Sequence, residues 1–244
     1  MRTGNPTLSD NTFRVEYAST NAMTVGGTVN KTAILLLLVV MTAIWSWKKV
    51  MVFGEPGPMI PWMIGSGIAG FILALITIFK KTASPITAPL YALVEGVFLG
   101  VLSAMFEIMY PGIVFQAVLL TFGTLLSLLL AYKTGVIKAT ENFKLGVVAA
   151  TGGIGLIYLA TFILGFFGIN IPFIHGSGTF GIAFSVFVVI IAALNLVLDF
   201  DFIESGAERG APRYMEWYAA FGLLVTLIWL YIEILRLLSK LRSR

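Results

Sequence analysis

The residues of this chain that could do chemistry are acids placed inside apolar runs. Glu95 sits in Tyr91-Ala-Leu-Val-Glu-Gly-Val-Phe-Leu-Gly100, with no basic residue nearby in sequence. Glu107 follows in the same run, about 120° around a helix from Glu95. Asp199 and Asp201 close a later run, Leu196-Val-Leu-Asp-Phe-Asp-Phe-Ile203, and Glu233 lies within the last one, Leu230-Tyr-Ile-Glu-Ile-Leu-Arg-Leu-Leu238. Ionisable groups at such positions are costly, so they face a bundle interior, pair with one another, or mark the path of an ion or proton. Asp199 and Asp201, two apart, point to opposite sides of a helix, whereas Asn195 and Asp199 share a face. Asp199 is therefore expected to face inward and Asp201 outward. Arg236 stands three residues after Glu233, close enough to pair with it along the helix. Glu107 is expected at the membrane interface.

Other chemistries lack their parts. The chain has no cysteine, which excludes disulfides and thiolate sites, and a single histidine, His175, which cannot build a multi-histidine metal site. Gly65-Ser66-Gly67 and Gly176-Ser177-Gly178 follow no strand and so are not nucleophile elbows. The Gly-x-Gly-Asp signature of intramembrane aspartyl proteases is absent, as is a phosphate-binding glycine loop. No enzyme activity and no cofactor are expected, apart from weakly held calcium.

The elements that must position these acids follow from composition. Of 244 residues, 58% are hydrophobic and 11% charged, with a mean hydropathy of +0.95. Soluble domains are about 25% charged, and a soluble globule could not cover this much apolar surface. Seven apolar runs stand out: Thr32–Trp47, Met59–Phe79, Ile86–Tyr110, Ile113–Tyr132, Leu145–Phe167, Phe180–Phe200 and Tyr218–Leu238. Most approach the ~20 residues a helix needs to cross hydrocarbon. None alternates as a barrel strand would, so an all-α polytopic bundle of seven transmembrane helices is expected. Residues 1–30 read as a polar tail without a cleavable signal sequence, and residues 31–244 as the membrane domain.

Trp45, Trp47, Trp62, Tyr110, Tyr132 and Trp217 lie near span ends, where interfacial belts form. The net charge of +4 comes from Lys and Arg in short loops facing anionic headgroups rather than nucleic acid. Their distribution puts the tail and the Lys133–Lys144 loop in the cytoplasm, although the basic C-terminus, Arg236 to Arg244, opposes that assignment. Gly96 with Gly100, and Ala149 with Gly153, have the spacing that lets helix backbones approach closely.

The seven runs, Glu95-Gly-Val-Phe-Leu-Gly100, Asp199-Phe-Asp-Phe-Ile203 and Leu230-Tyr-Ile-Glu233, in this order, resemble the Bax inhibitor family, also called the transmembrane Bax-inhibitor-motif family, in its bacterial YccA-like branch. The resemblance covers most of residues 30–240. It implies a seven-helix bundle with the last helix central, in the inner membrane. It also implies an acidic pair on the last two helices that senses pH and gates a calcium leak. Asp199 matches the first acid and Glu233 the second, where the family usually has aspartate. The second span, Met59–Phe79, lacks the arginine that latches onto the pair in some members. Two contacting carboxyls cannot both ionise cheaply, so one shared proton would hold the helices together and its loss would part them or admit a divalent cation. Asn195 and Glu95 could add oxygen ligands along such a path. The alternative is a membrane regulator that binds another membrane protein, a protease or a stress-response component, without transport. The lipid bilayer is a partner under both readings.

Overall fold

The computed structural model describes residues 22–168 and 176–243. His175 and most of the tail, residues 1–21, lie outside the described residues. Seven helices follow in order: α1 Val25–Phe53, α2 Ile60–Phe79, α3 Ser84–Met109, α4 Ile113–Lys133, α5 Glu141–Phe166, α6 Thr179–Glu208 and α7 Met215–Arg242. All seven are long and apolar enough to cross a membrane, and no strand occurs among the described residues.

Local chemistry sets the ends. Thr24 caps α1 by accepting from the Gly27 amide, and Gly54 ends it at φ 73°. Thr140 caps α5 in the same way, accepting from Phe143 N. Prolines occupy the first turns of α2 and α3, where a missing N–H breaks no helical bond. Several helices outrun their apolar cores. α1 opens at Val25, ahead of the run expected from Thr32, because the Thr24 cap rather than hydropathy decides its start. α6 continues to Glu208, so Asp199 and Asp201 lie within a helix and not at its end.

The last helix is the central one. α7 packs against α1, α3, α4 and α6, and it buries Ala219, Ala220, Leu224, Leu227, Leu230 and Leu235. Two apolar clusters meet on it. One joins Leu35 and Val39 of α1 to Tyr91, Ala92 and Leu99 of α3. The other joins Ile113 and Ala117 of α4 to Leu196 and Phe200 of α6. The outer faces of the helices expose Phe71, Phe79, Phe115, Leu156 and Phe162, as lipid contact requires.

α3 lies closest to α1. A Cβ at Gly96 would run into Thr42 Oγ1 and the Val39 carbonyl, and one at Gly100 into Ser46 Oγ and the Ala43 carbonyl. This is the close approach expected of the first small-residue pair. The second pair does not serve in that way. Gly153 faces open space, because α5 stands at the periphery and packs mainly along α6. Gly96→Ala and Gly100→Ala should each destabilise the bundle by about 1–3 kcal/mol, the range for overpacking. Gly153→Ala should be neutral or mildly stabilising, since alanine is the better helix former by about 1 kcal/mol. Thermal unfolding of the purified variants in detergent checks this; equal melting temperatures for all three would refute the packing assignment.

Candidate functional site

The polar residues of the membrane interior gather in layers along the seam of α5, α6 and α7. Antiparallel packing of α6 on α7 sets their order. Lys240 of α7 donates to Ser185 Oγ of α6 at 2.8 Å and to the Gly181 carbonyl at 3.1 Å. Two turns back along α7 lies Glu233, 2% exposed. Its Oε1 accepts from Tyr158 Oη of α5 at 3.0 Å and from Arg236 Nη1 at 3.0 Å. The Arg236 guanidinium lies 5.5 Å from the centre of the Tyr158 ring, so one aromatic residue holds both partners of the ion pair. This layer opens into a cavity of about 340 Å³ that also reaches Ser177, Ser239 and Ser243.

Deeper along the seam, Asn195 donates through Nδ2 to Thr151 Oγ1 of α5 and to the Ile191 carbonyl, both at 2.8 Å. One turn further, Asp199 lies against Gly222 and the Thr226 hydroxyl of α7. Its Oδ2 is fully buried and has no hydrogen-bond partner among the described residues. A buried acceptor left unsatisfied costs about 1–3 kcal/mol. Between the Glu233 and Asp199 layers stand Ala192, Leu196 and Leu230, all at 0% exposure. They form an apolar seal.

Asp199 and Glu233 are therefore not brought together. The same register that sets Lys240 beside Ser185 puts Thr226 beside Asp199. Glu233 is seven residues further along α7, roughly 10 Å away at 1.5 Å per residue. Each acid has its own partners: Thr226 for Asp199, Tyr158 and Arg236 for Glu233. Asp201 faces α5, where Lys144 Nζ reaches its carboxylate at 2.8 Å, the division between Asp199 and Asp201 that their spacing implies. Glu95 stands apart from the seam. It lies between α2 and α3 with its carboxylate against Gly70 and Tyr91. Glu107 accepts from the Gly112 and Val114 amides at 2.6 and 3.2 Å and so closes the N-terminus of α4.

Sequence reasoning missed Tyr158 and Thr151, hydroxyls in an otherwise apolar run that answer polar groups on other helices. It also missed Glu216, which precedes the apolar run Tyr218–Leu238. Glu216 is 2% exposed. It pairs with Lys31 of α1 at 2.5 Å and accepts from Thr24 N and Thr24 Oγ1 at 3.0 Å. Gly27 leaves the room for its carboxylate. The signal was present in sequence: Lys31 and Glu216 are opposite charges at the starts of the first and last spans.

Seven apolar helices, the last of them buried, central and acid-bearing, define a polytopic α-helical membrane protein. The chain belongs to the Bax inhibitor 1 like family, whose sequence profile matches residues 5–243. That match takes in most of the polar tail as well as the bundle. Comparison with curated proteins and with solved structures gave no match.

Removing one partner of a buried ion pair strands the other, at about 3–5 kcal/mol. Glu216→Ala should lower the melting temperature accordingly, whereas Glu141→Ala, which removes an exposed pair with Lys144, should cost no more than about 1 kcal/mol. Thermal unfolding separates the two; an unaffected Glu216→Ala would show that the α1–α7 clasp does not hold the bundle.

Proposed function

We propose that the protein is a cation leak of the cell membrane, with calcium as the ion, in a closed conformation. The observation that carries this reading is Asp199 Oδ2, a fully buried carboxylate oxygen without a partner, on the same seam as Asn195, Thr151, Tyr158 and Glu233. Calcium takes oxygen ligands from carboxylates, carbonyls and hydroxyls, and the seam supplies these in successive layers. Among the described residues no three acids or histidines converge to hold a metal. Sparse, successive ligands suit passage, because a conducting site must release its ion.

The calcium leak that the family resemblance implies agrees with this reading, but the gate differs from a directly shared proton. In the closed bundle Arg236 occupies the Glu233 carboxylate, and Leu196 with Leu230 separates Glu233 from Asp199. A divalent cation entering the cavity competes with the Arg236 guanidinium for Glu233. Passage then requires α6 and α7 to part at the leucines. Protonation of Glu233 dissolves its ion pair with Arg236, and protonation of Asp199 removes the charge beyond the seal, so the leak depends on pH through both layers. Lys144 neutralises Asp201 at the end of α6 that the Lys133–Lys144 loop shares. We place that loop and the N-terminus in the cytoplasm, following the lysines of the loop, and the protein in the inner membrane.

Calcium flux into liposomes that contain only this protein tests the proposal. Flux is expected and should vary with pH. Asp199→Asn combined with Glu233→Gln keeps size and hydrogen bonding but removes ionisation, and should abolish most of that variation. Asp201→Asn, which breaks only the pair with Lys144, should leave it. Absence of flux from the wild type at every pH would end the leak reading in favour of a membrane regulator that docks another membrane protein.

A further inference from the structure

α7 has a second flank, away from the polar seam, whose residues line two cavities. α1 and α4 stand on either side of it without packing along each other, and the gap between them is open to the lipid side. Two cavities share Leu36 and continue one another along this gap. One, about 520 Å³, lies between the second half of α1 and the first half of α4; the other, about 930 Å³, lies between the first half of α1 and the second half of α4. Together they make one crevice through the bundle, floored by α7. Its walls are apolar and accessible, with Val29 and Leu126 each at 58% exposure and Val40 at 49%.

Cations occur at the mouths and not between them. Lys48 lines one mouth; Lys133 and Lys138 line the other, together with Asp201 and Glu204, whose carboxylates are engaged by Lys144 and Tyr132. None of the three lysines at the mouths has an ion-pair or hydrogen-bond partner among the described residues, unlike Lys31, Lys144 and Arg236, which are each paired with an acid. From Val29 to Lys48 the wall runs roughly 30 Å at 1.5 Å per residue, the thickness of the hydrocarbon core. The mouths therefore stand at the depth of the two headgroup layers.

We propose that the α1–α4 crevice is a phospholipid site, which takes an acyl chain from each leaflet, with anionic headgroups held by Lys48 at one mouth and by Lys133 and Lys138 at the other. Acyl chains match the apolar walls, and phosphate matches the unpaired lysines. The bound chains would lie beside Leu224, Leu227 and Ile228 of α7, on the flank opposite the acids, and fill the space that α1 and α4 leave around these buried residues.

Native mass spectrometry of the purified full chain, titrated with a phosphatidylglycerol and, separately, a phosphatidylcholine, tests this. Phosphatidylglycerol adducts should persist at higher activation energy than phosphatidylcholine adducts. A lysine beside anionic headgroups contributes about fivefold in binding, so Lys48→Ala and the pair Lys133→Ala with Lys138→Ala should each weaken phosphatidylglycerol retention by at least that factor. Lys49→Ala, beside the crevice but not lining it, should not. Val118→Trp, which adds bulk to the first cavity from an exposed position on its wall, should lower retention of both lipids while the melting temperature stays near the wild-type value. Equal retention across all variants overturns the proposal. So does a dimer that Val118→Trp dissociates, since the occupant would then be a second copy of the chain.

Discussion

A carboxylate inside hydrocarbon must be answered by another group, and this requirement organises the bundle around α7. Charges at the centre of a membrane helix cost about 2.5–3.5 kcal/mol or more unless neutralised. α7 carries Glu216 near its start and Glu233 near its end, and each has a cation: Lys31 from α1 and Arg236 from α7 itself. The Lys31–Glu216 pair can be buried only because Thr24 adds two further donors and Gly27 leaves room for the carboxylate. The clasp fixes α1 to α7, and the glycines of α3 then bring a third helix close to α1. Asp199, like Glu95 of α3, departs from this rule. It receives no cation, and one of its oxygens receives nothing, on a helix whose other acids within the seam are paired.

Most of the architecture could be read from hydropathy, because in lipid only helices satisfy the backbone and each must be long enough to cross. What hydropathy could not supply was the ends of the helices. Thr24 starts α1 by hydrogen bonding, and α6 carries three acids past its apolar core, so a hydrophobic window ends too early at Phe200. The acids of interest were identifiable as polar residues out of place. Their partners were not, since Tyr158 and Thr151 look like ordinary members of an apolar run. The expected contact between Asp199 and Glu233 failed for a reason of register: spacing along each sequence says nothing of how far two antiparallel helices slide past one another. The Arg236 pairing at i+3 was legible because it is local to one helix.

α7 thus has two unlike flanks. Toward α5 and α6 it presents polar layers divided by leucines; toward the gap between α1 and α4 it presents a smooth aliphatic surface. α5 is the loosest element, joined to the bundle along α6 and through the hydroxyls of Thr151 and Tyr158. A movement of α5 would draw Tyr158 from Glu233 and Thr151 from Asn195 at once, while the clasp between α1 and α7 stayed closed. Packing assigns rigidity to α1, α3 and α7, and mobility to the side of the bundle that carries the acids.

The central claim is that Leu196 and Leu230 seal a line of oxygen ligands between α6 and α7. The most direct measurement is calcium flux through Leu230→Ser in liposomes, compared with the wild type at one pH and one protein density. A serine at this position removes the apolar contact and adds a hydroxyl level with Asn195. Flux well above the wild-type rate is expected, in a variant that still shows the helical content and monodispersity of the folded protein. A folded Leu230→Ser variant with unchanged flux would contradict the leucine seal, and would place any conduction elsewhere than the α6–α7 seam.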